Sequence, residues 1–272
     1  MKKVTKVLSL VLIVSMFLTA CGSADKETTS TGDNSLQYIK DNGELVLGLD
    51  ASFPPMGFKD DAGNIIGFDI DLAKEVCNRM GVKIKLQPID WANKEMELNN
   101  KNIDLIWNGL SYNPERANNM TLSESYMTNR QVIVVPADSS IKTLADLKGK
   151  TVALQNGSTA SDAMEANPEV KNSLKEVVKV EDNVKAMMDL EVSGSDAVVM
   201  DEVVAKYYMQ QKPGKFDILE ETLSDEKYVI GFRKGDQQLC DEVVKVLKEM
   251  KQDGKLAEIS TTWFGSDITT LQ

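Results

Sequence analysis

From residue 44 onward, short apolar runs rich in β-branched residues alternate with stretches whose apolar positions recur every three or four residues. The first period belongs to strands and the second to amphipathic helices. The pattern predicts strands over 45–49, 84–89 and 103–107, and a hairpin over 58–67 turning at Asp60-Asp61-Ala62-Gly63-Asn64. Ile70, Ala73, Val76, Cys77 and Met80 fall on one helical face, with Gly81 as its stop. A further helix is expected over 92–99, and Asn113-Pro114-Glu115-Arg116 reads as an N-cap followed by proline at the first helical position. In the middle of the chain, strands over 151–154, 177–180 and 197–200 feed helices over 158–166, 183–192 and 201–210. Helices over 236–253 and on to 264 close the sequence; Val243, Val244, Leu247 and Met250 share a face of the first. Alternating strands and helices predict an α/β fold with largely parallel sheets. Two extended stretches, 131–136 and 227–232, bracket the middle block, so the chain is expected to form two lobes joined by two hinge crossings: 36–128 with 229–272, and 129–228. A double hinge permits rigid-body closure over a cleft.

Composition narrows the chemistry. The 272 residues carry 31 basic and 42 acidic side chains, a net charge of −11, and no long basic run, which argues against a nucleic-acid partner. There is no histidine, which excludes Ser/His/Asp and Cys/His nucleophilic machinery and any zinc site built on imidazole. No Gly-x-x-x-x-Gly-Lys-Ser/Thr motif occurs, so nucleotide hydrolysis would belong to a partner. Lys2, Lys3 and Lys6 precede an apolar run over 7–18 that is short for a membrane span, a pattern expected of a secretory signal over 1–20. Leu18-Thr19-Ala20-Cys21 resembles the bacterial lipobox, which implies a lipidated, palmitate-bearing Cys21 and a protein anchored to a membrane without spanning it. The polar stretch that follows reads as a flexible tether over 21–35. Cys77 and Cys240 each sit in a predicted helix, where a buried thiol is the default; whether they pair is open.

In open α/β sheets a ligand sits beyond the carboxyl ends of the strands. Those positions hold Asp50 and Phe53 after the first strand, Asp90-Trp91 after the second and Asn108-Gly109-Leu110-Ser111 after the third. Gln155-Asn156-Gly157-Ser158-Thr159 follows the fourth, and Asp201 a later one. Each type has an ordinary structural use, as turn, core or helix cap; their coincidence at one edge marks a site. Arg116, in the first turn of its helix, would add a bidentate fork to free backbone N–H groups, a combination that suits a carboxylate. Asp201 supplies the opposite charge. A carboxylate-binding arginine and an ammonium-binding aspartate together describe a zwitterion such as an α-amino acid, with Phe53 and Trp91 as walls for its side chain.

The run Gly67-Phe68-Asp69-Ile70-Asp71-Leu72-Ala73-Lys74-Glu75-Val76-Cys77-Asn78-Arg79-Met80 resembles the signature of family 3 bacterial extracellular solute-binding proteins. Gly109 to Arg116, and Leu144 to Ala153 leading into Gln155-Asn156-Gly157-Ser158, are similar to it too; the resemblance extends over about 44–264. It implies a two-lobed, periplasmic-binding-protein-like type II fold and a monomeric, extracytoplasmic receptor that delivers an L-amino acid to an ABC permease and its ATPase. By resemblance, Arg116 clamps the ligand α-carboxylate, helped by Ser111 and the turn at Ser158-Thr159, while Asp201 and the Gly109 carbonyl take the α-ammonium. Asp50 meets the ligand side chain, and Phe53 and Trp91 form the aromatic wall. A polar or cationic amino acid such as Arg, Lys or Gln is the expected ligand, with no cofactor and no metal. Trp107 and Asn108 stand where many relatives carry small residues, and Tyr112-Asn113 replaces a common Ile-Thr pair, departures that bear on side-chain specificity. Asp69 and Asp71 are expected to cap the helix N-terminus. The alternative is a secreted, dehydratase-like enzyme on the same fold acting on a small carboxylic acid, with Glu202 or Asp90 as general acid or base.

Overall fold

The structure, a computed structural model, describes residues 32–272; the expected leader and Cys21 lie outside the described residues. In chain order it contains α1 (Ser35–Asn42), β1 (Glu44–Leu49), the short strands β2 (Ser52–Phe53), β3 (Gly57–Lys59) and β4 (Ile65–Ile66), α2 (Phe68–Met80), β5 (Lys83–Pro88), α3 (Lys94–Asn99), β6 (Leu105–Ser111), α4 (Pro114–Asn119), β7 (Met120–Leu122) and β8 (Met127–Pro136). There follow β9 (Thr151–Gln155), α5 (Thr159–Ala166), α6 (Pro168–Ser173), β10 (Glu176–Val180), α7 (Asn183–Glu191), β11 (Ala197–Asp201), α8 (Glu202–Gln211), β12 (Phe216–Arg233), α9 (Gln237–Gln252) and α10 (Lys255–Phe264).

Two parallel modules carry the fold. In one, β1 lies between β5 and β6; in the other, β9 lies between β10 and β11. Every residue of β6, β9 and β11 is buried, as befits parallel strands covered on both faces. The modules are joined through β8 and β12, which pair antiparallel from Phe216↔Pro136 to Tyr228↔Met127; β8 then meets β11 and β12 meets β6. The hydrogen-bonded path is therefore continuous, β10-β9-β11-β8-β12-β6-β1-β5. This is the two-lobed type II arrangement, with β8 and β12 as its crossings. One core packs Leu47, Ile70, Val76, Leu239 and Leu247 between β1, α2 and α9, and a second packs Ile133, Val152, Leu154 and Val199 against Ala160 and Met164 of α5.

Several expectations change in detail. The third strand does not stop at Trp107: Asn108 to Ser111 belong to β6, because Tyr228 and Val229 of β12 pair with Ser111 and Leu110 and prolong it. Gln155 and Asp201 are likewise the last residues of β9 and β11. The extended stretch at 227–232 is the end of an 18-residue strand whose earlier part, rich in acids, hides its strand character behind register shifts near Thr222. Asp69 and Asp71 do not cap α2, whose N-cap is Gly67. Asp71 instead accepts from Trp263 Nε1 at 2.9 Å. Asn113 does cap α4, its Oδ1 accepting from the Arg116 N–H at 2.7 Å. That N–H is consequently taken up by the cap, and is not one of the free N–H groups expected to help Arg116 hold a carboxylate. Cys77 and Cys240 are free and buried, and burial pushes both thiols up to about 12.

Candidate functional site

All eleven residues singled out from the sequence, Asp50, Phe53, Trp91, Asn108, Gly109, Ser111, Arg116, Gln155, Ser158, Thr159 and Asp201, are buried. Hydrogen bonds tie most of them into one network across the two lobes. Asp50 accepts from the Ser52 N–H at 2.8 Å and from Gln155 Nε2 at 2.7 Å, while its own N–H donates to Asn108 Oδ1 at 3.0 Å. Burial, with Asp182 and Glu181 adding repulsion, raises the Asp50 carboxyl to about 6 despite those donors. Ser158 donates its hydroxyl to the Gln155 carbonyl at 2.8 Å, which fixes the turn into α5. The first N–H groups of a helix have no partner within it, and the dipole there favours an anion.

Arg116 is 4% exposed. Its Nη1 donates to the Ser111 carbonyl at 2.7 Å and its Nη2 reaches the Gly157 carbonyl of the facing lobe at 3.5 Å. It forms no ion pair among the described residues, and Glu124 pairs with Lys248 at 2.6 Å. Burial lowers the Arg116 guanidinium from its usual range, against the pull of Asp162, Glu226 and other nearby carboxylates. Asp201, 5% exposed, accepts from Tyr228 Oη at 2.7 Å and from Asn129 Nδ2 at 2.6 Å. Burial foremost, and the Glu226 carboxylate after it, push Asp201 up to about 7.

Gly109 is required as glycine. Its φ is +60°, and an added Cβ would lie 2.7 Å from Phe53 Cε1 and 3.2 Å from Tyr228 Cζ. Its N–H donates to Asp69 Oδ2 at 2.7 Å, an oxygen that also accepts from Tyr126 Oη at 3.0 Å. The signature aspartate thus sits fully buried beneath the site and holds the Gly109 backbone. Burial raises its carboxyl to about 7.

Four more side chains join the site that the sequence did not single out. Lys94 is buried in α3, 5.1 Å from the Trp91 ring centroid, and its Nζ donates to the carbonyls of Trp91 at 3.1 Å and Gly157 at 2.9 Å. Burial, and then Arg116, lower it to about 8. Asn129, Gln131 and Glu226 stand on the crossing strands: Glu226 Oε2 accepts from Ser111 Oγ at 2.6 Å, Asn129 Nδ2 at 3.0 Å and Gln131 Nε2 at 3.1 Å. Gln131 Nε2 also reaches Thr159 Oγ1 at 3.4 Å. The available signal was polar residues at the buried phase of an alternating strand, since Asn129 and Gln131 are buried while Thr128 and Arg130 are exposed. A cleft of about 530 Å³ opens beside Asn129, Glu226 and Tyr112. A larger one, about 730 Å³ near Leu190, Lys212 and Phe216, contains none of these residues, and its own charged side chains are solvent-exposed.

The acids considered for catalysis are engaged. Glu202 takes Arg130 at 2.5 Å and Lys206 at 2.9 Å, and its carboxyl is held low chiefly by the Arg130 hydrogen bond. Asp90 is exposed and accepts from the Ala92 N–H at 3.0 Å and Asn93 Nδ2 at 3.0 Å. No group of three or more acids or cysteines arranged to hold a metal occurs among the described residues.

The chain is 31% identical over 254 residues to the arginine-binding extracellular protein ArtP of Bacillus subtilis, covering 92% of this chain and 94% of the relative. It is 29% identical over 236 residues to the L-cystine-binding protein TcyJ of Escherichia coli, covering 86% and 87%. Among solved structures, a substrate-binding protein of an ABC uptake transporter from Streptococcus pneumoniae with bound histidine superposes with a TM-score of 0.85 at 38% identity, covering 89% of this chain and all of that one. The family model for bacterial extracellular solute-binding proteins, family 3, matches residues 45–266, and the chain belongs to that family.

Proposed function

We propose that the protein is the amino-acid receptor of an ABC importer. An L-amino acid with a polar or cationic side chain is held between the lobes and delivered to a membrane permease driven by its own ATPase. The observation that carries the reading is the pair Arg116 and Asp201: opposite charges, both buried, on opposite lobes, with no ion-pair partner among the described residues. Leaving each charge buried and unpaired is costly. A zwitterion between them satisfies both at once, its carboxylate on the Arg116 fork and the first N–H groups of α5 at Ser158-Thr159, its ammonium on Asp201 and the Gly109 carbonyl. Ser111 serves by orienting Arg116 through its own carbonyl. The side chain then extends towards Asp50, Asn108 and Gln155 between Phe53 and Trp91.

Only the closed arrangement presents both charges to one ligand, so binding shifts the population towards it. The contacts of Lys94 and Arg116 with Gly157, and of Asn113 Nδ2 with Asp162 Oδ2 at 3.0 Å, support such closure. Lipidation at Cys21 would anchor this monomeric receptor on the extracytoplasmic face of the cell membrane. The engagement of Glu202 and Asp90 supports a binding role over an enzymatic one. The test is isothermal titration of the protein with L-arginine, L-lysine, L-glutamine, L-histidine and L-cystine. Saturable binding of at least one is expected, and heats indistinguishable from dilution for all of them would overturn the reading.

A further inference from the structure

The two crossing strands carry a second acid that the amino-acid clamp does not use. Glu226 on β12 faces Asp201 at the end of β11, and the two carboxylates share one donor: Asn129 Nδ2 lies 2.6 Å from Asp201 Oδ1 and 3.0 Å from Glu226 Oε2. Neither acid has an ion-pair partner among the described residues; Arg116 is the cation whose charge reaches both. Beside them, two buried amide oxygens, Asn129 Oδ1 and Gln131 Oε1, have no hydrogen-bond donor, although Asn129 is only 4% exposed and Gln131 is 0% exposed. Buried acceptors without donors are rare and call for a missing partner. Two uncompensated carboxylates with two idle acceptors leave a place for a group that is all donor and positively charged. Ser111 fits this division, because its single hydroxyl hydrogen is directed to Glu226 and not towards Arg116.

We propose that Glu226 is a second carboxylate of the ammonium subsite: the ligand's amino group sits between Asp201 and Glu226, with the idle amide oxygens of Asn129 and Gln131 as its further acceptors. This rests on the amino-acid reading and extends it to a residue outside the expected clamp. The arrangement makes binding proton-linked. Asp201, raised to about 7 by burial and by Glu226, faces Glu226, Tyr228 and, at longer range, Arg116, and must be ionised to hold an ammonium. Part of the protein therefore carries the proton on Asp201 near neutral pH, and binding an ammonium releases it.

The experiment is titration of the full-length protein and its Glu226→Gln and Glu226→Asp variants with L-arginine, L-glutamine, L-histidine and L-cystine, at pH 7 in two buffers of different ionisation enthalpy. The glutamine keeps the size and an acceptor for Ser111, and thermal melts check that both variants fold. Glu226→Gln is expected to weaken the bound amino acid at least tenfold and to reduce the proton release without abolishing it, because Asp201 loses its repelling neighbour but remains raised by burial. Glu226→Asp should restore part of both. Unchanged affinity and unchanged proton release in Glu226→Gln would overturn the proposal and leave Glu226 a structural partner of Ser111. If the wild type binds none of the four, nor L-lysine, the amino-acid reading fails, and agmatine and putrescine, which carry amines and no carboxylate, decide the cation subsite. Binding that Glu226→Gln abolishes supports it, and no binding to the wild type overturns it.

Discussion

Gln155 Nε2 donates to the Asp50 carboxylate at 2.7 Å, joining two residues 105 positions apart and on different lobes. The bond places a carboxylate from the β1 lobe against an amide from the β9 lobe.

Replacing Asp50 should change which amino acids are preferred more than it changes how the backbone zwitterion is held. In Asp50→Ala, affinity for a cationic ligand such as L-arginine is expected to fall by 10- to 100-fold, the scale of one buried charged hydrogen bond. Affinity for L-glutamine should fall less than fivefold, by the same arithmetic applied to a neutral contact. Titration calorimetry with both ligands checks this, and an unchanged ranking would remove Asp50 from the specificity determinants.

Acidification should act in opposite directions on the fold and on the ligand. Asp201 titrates near 7 in the folded chain and near ~3.9 when unfolded, so the folded state holds the extra proton between those values. Its contribution to stability is fully present below the unfolded value and is lost as pH rises through about 7. Going from pH 7.5 to 5.5, the ligand-free wild type should gain up to about 2 kcal/mol relative to Asp201→Asn, seen as a rise in relative melting temperature. Affinity for an ammonium-bearing ligand should fall over the same range, by up to about tenfold per unit below pH 7, because Asp201 must then give up a proton.

Gly109→Ala tests the floor of the site. The left-handed backbone and the contact with Phe53 predict a destabilisation of about 2 kcal/mol and at least tenfold weaker ligand binding. A variant that melts and binds like the wild type would show that β6 can shift without harm.

Much of this was legible before any coordinates. The alternation of apolar runs and helical faces gave the order of strands and helices, because each element buries one face or both and its period follows from that. Residues at strand ends were found as a group for the same reason. The crossing strands were harder to read. The first part of β12 is rich in acids and crosses two register shifts, so its period is broken, and Glu226 resembles any surface acid until β8 is seen beside it. Lys94 was hidden in the same way: a lysine in a short helix is ordinarily solvated, and only its fold neighbours, Trp91 and Gly157, enclose it. Asp69 and Asp71 misled in the other direction, since acids in a first helical turn ordinarily interact with its N-terminus, whereas here their partners are Gly109, Tyr126 and Trp263.

The central claim is that Arg116 and Asp201 together hold one zwitterion. Titration of the wild type, Arg116→Lys and Asp201→Asn with the tightest-binding amino acid of the panel tests it most directly. The account predicts that each variant folds and loses at least 100-fold in affinity, about 2.7 kcal/mol or more, because Asp201→Asn leaves the ligand ammonium without its carboxylate and Arg116→Lys replaces the planar two-pronged fork with a single ammonium that cannot hold the carboxylate bidentately. Affinity within a few-fold of wild type in either variant would contradict it.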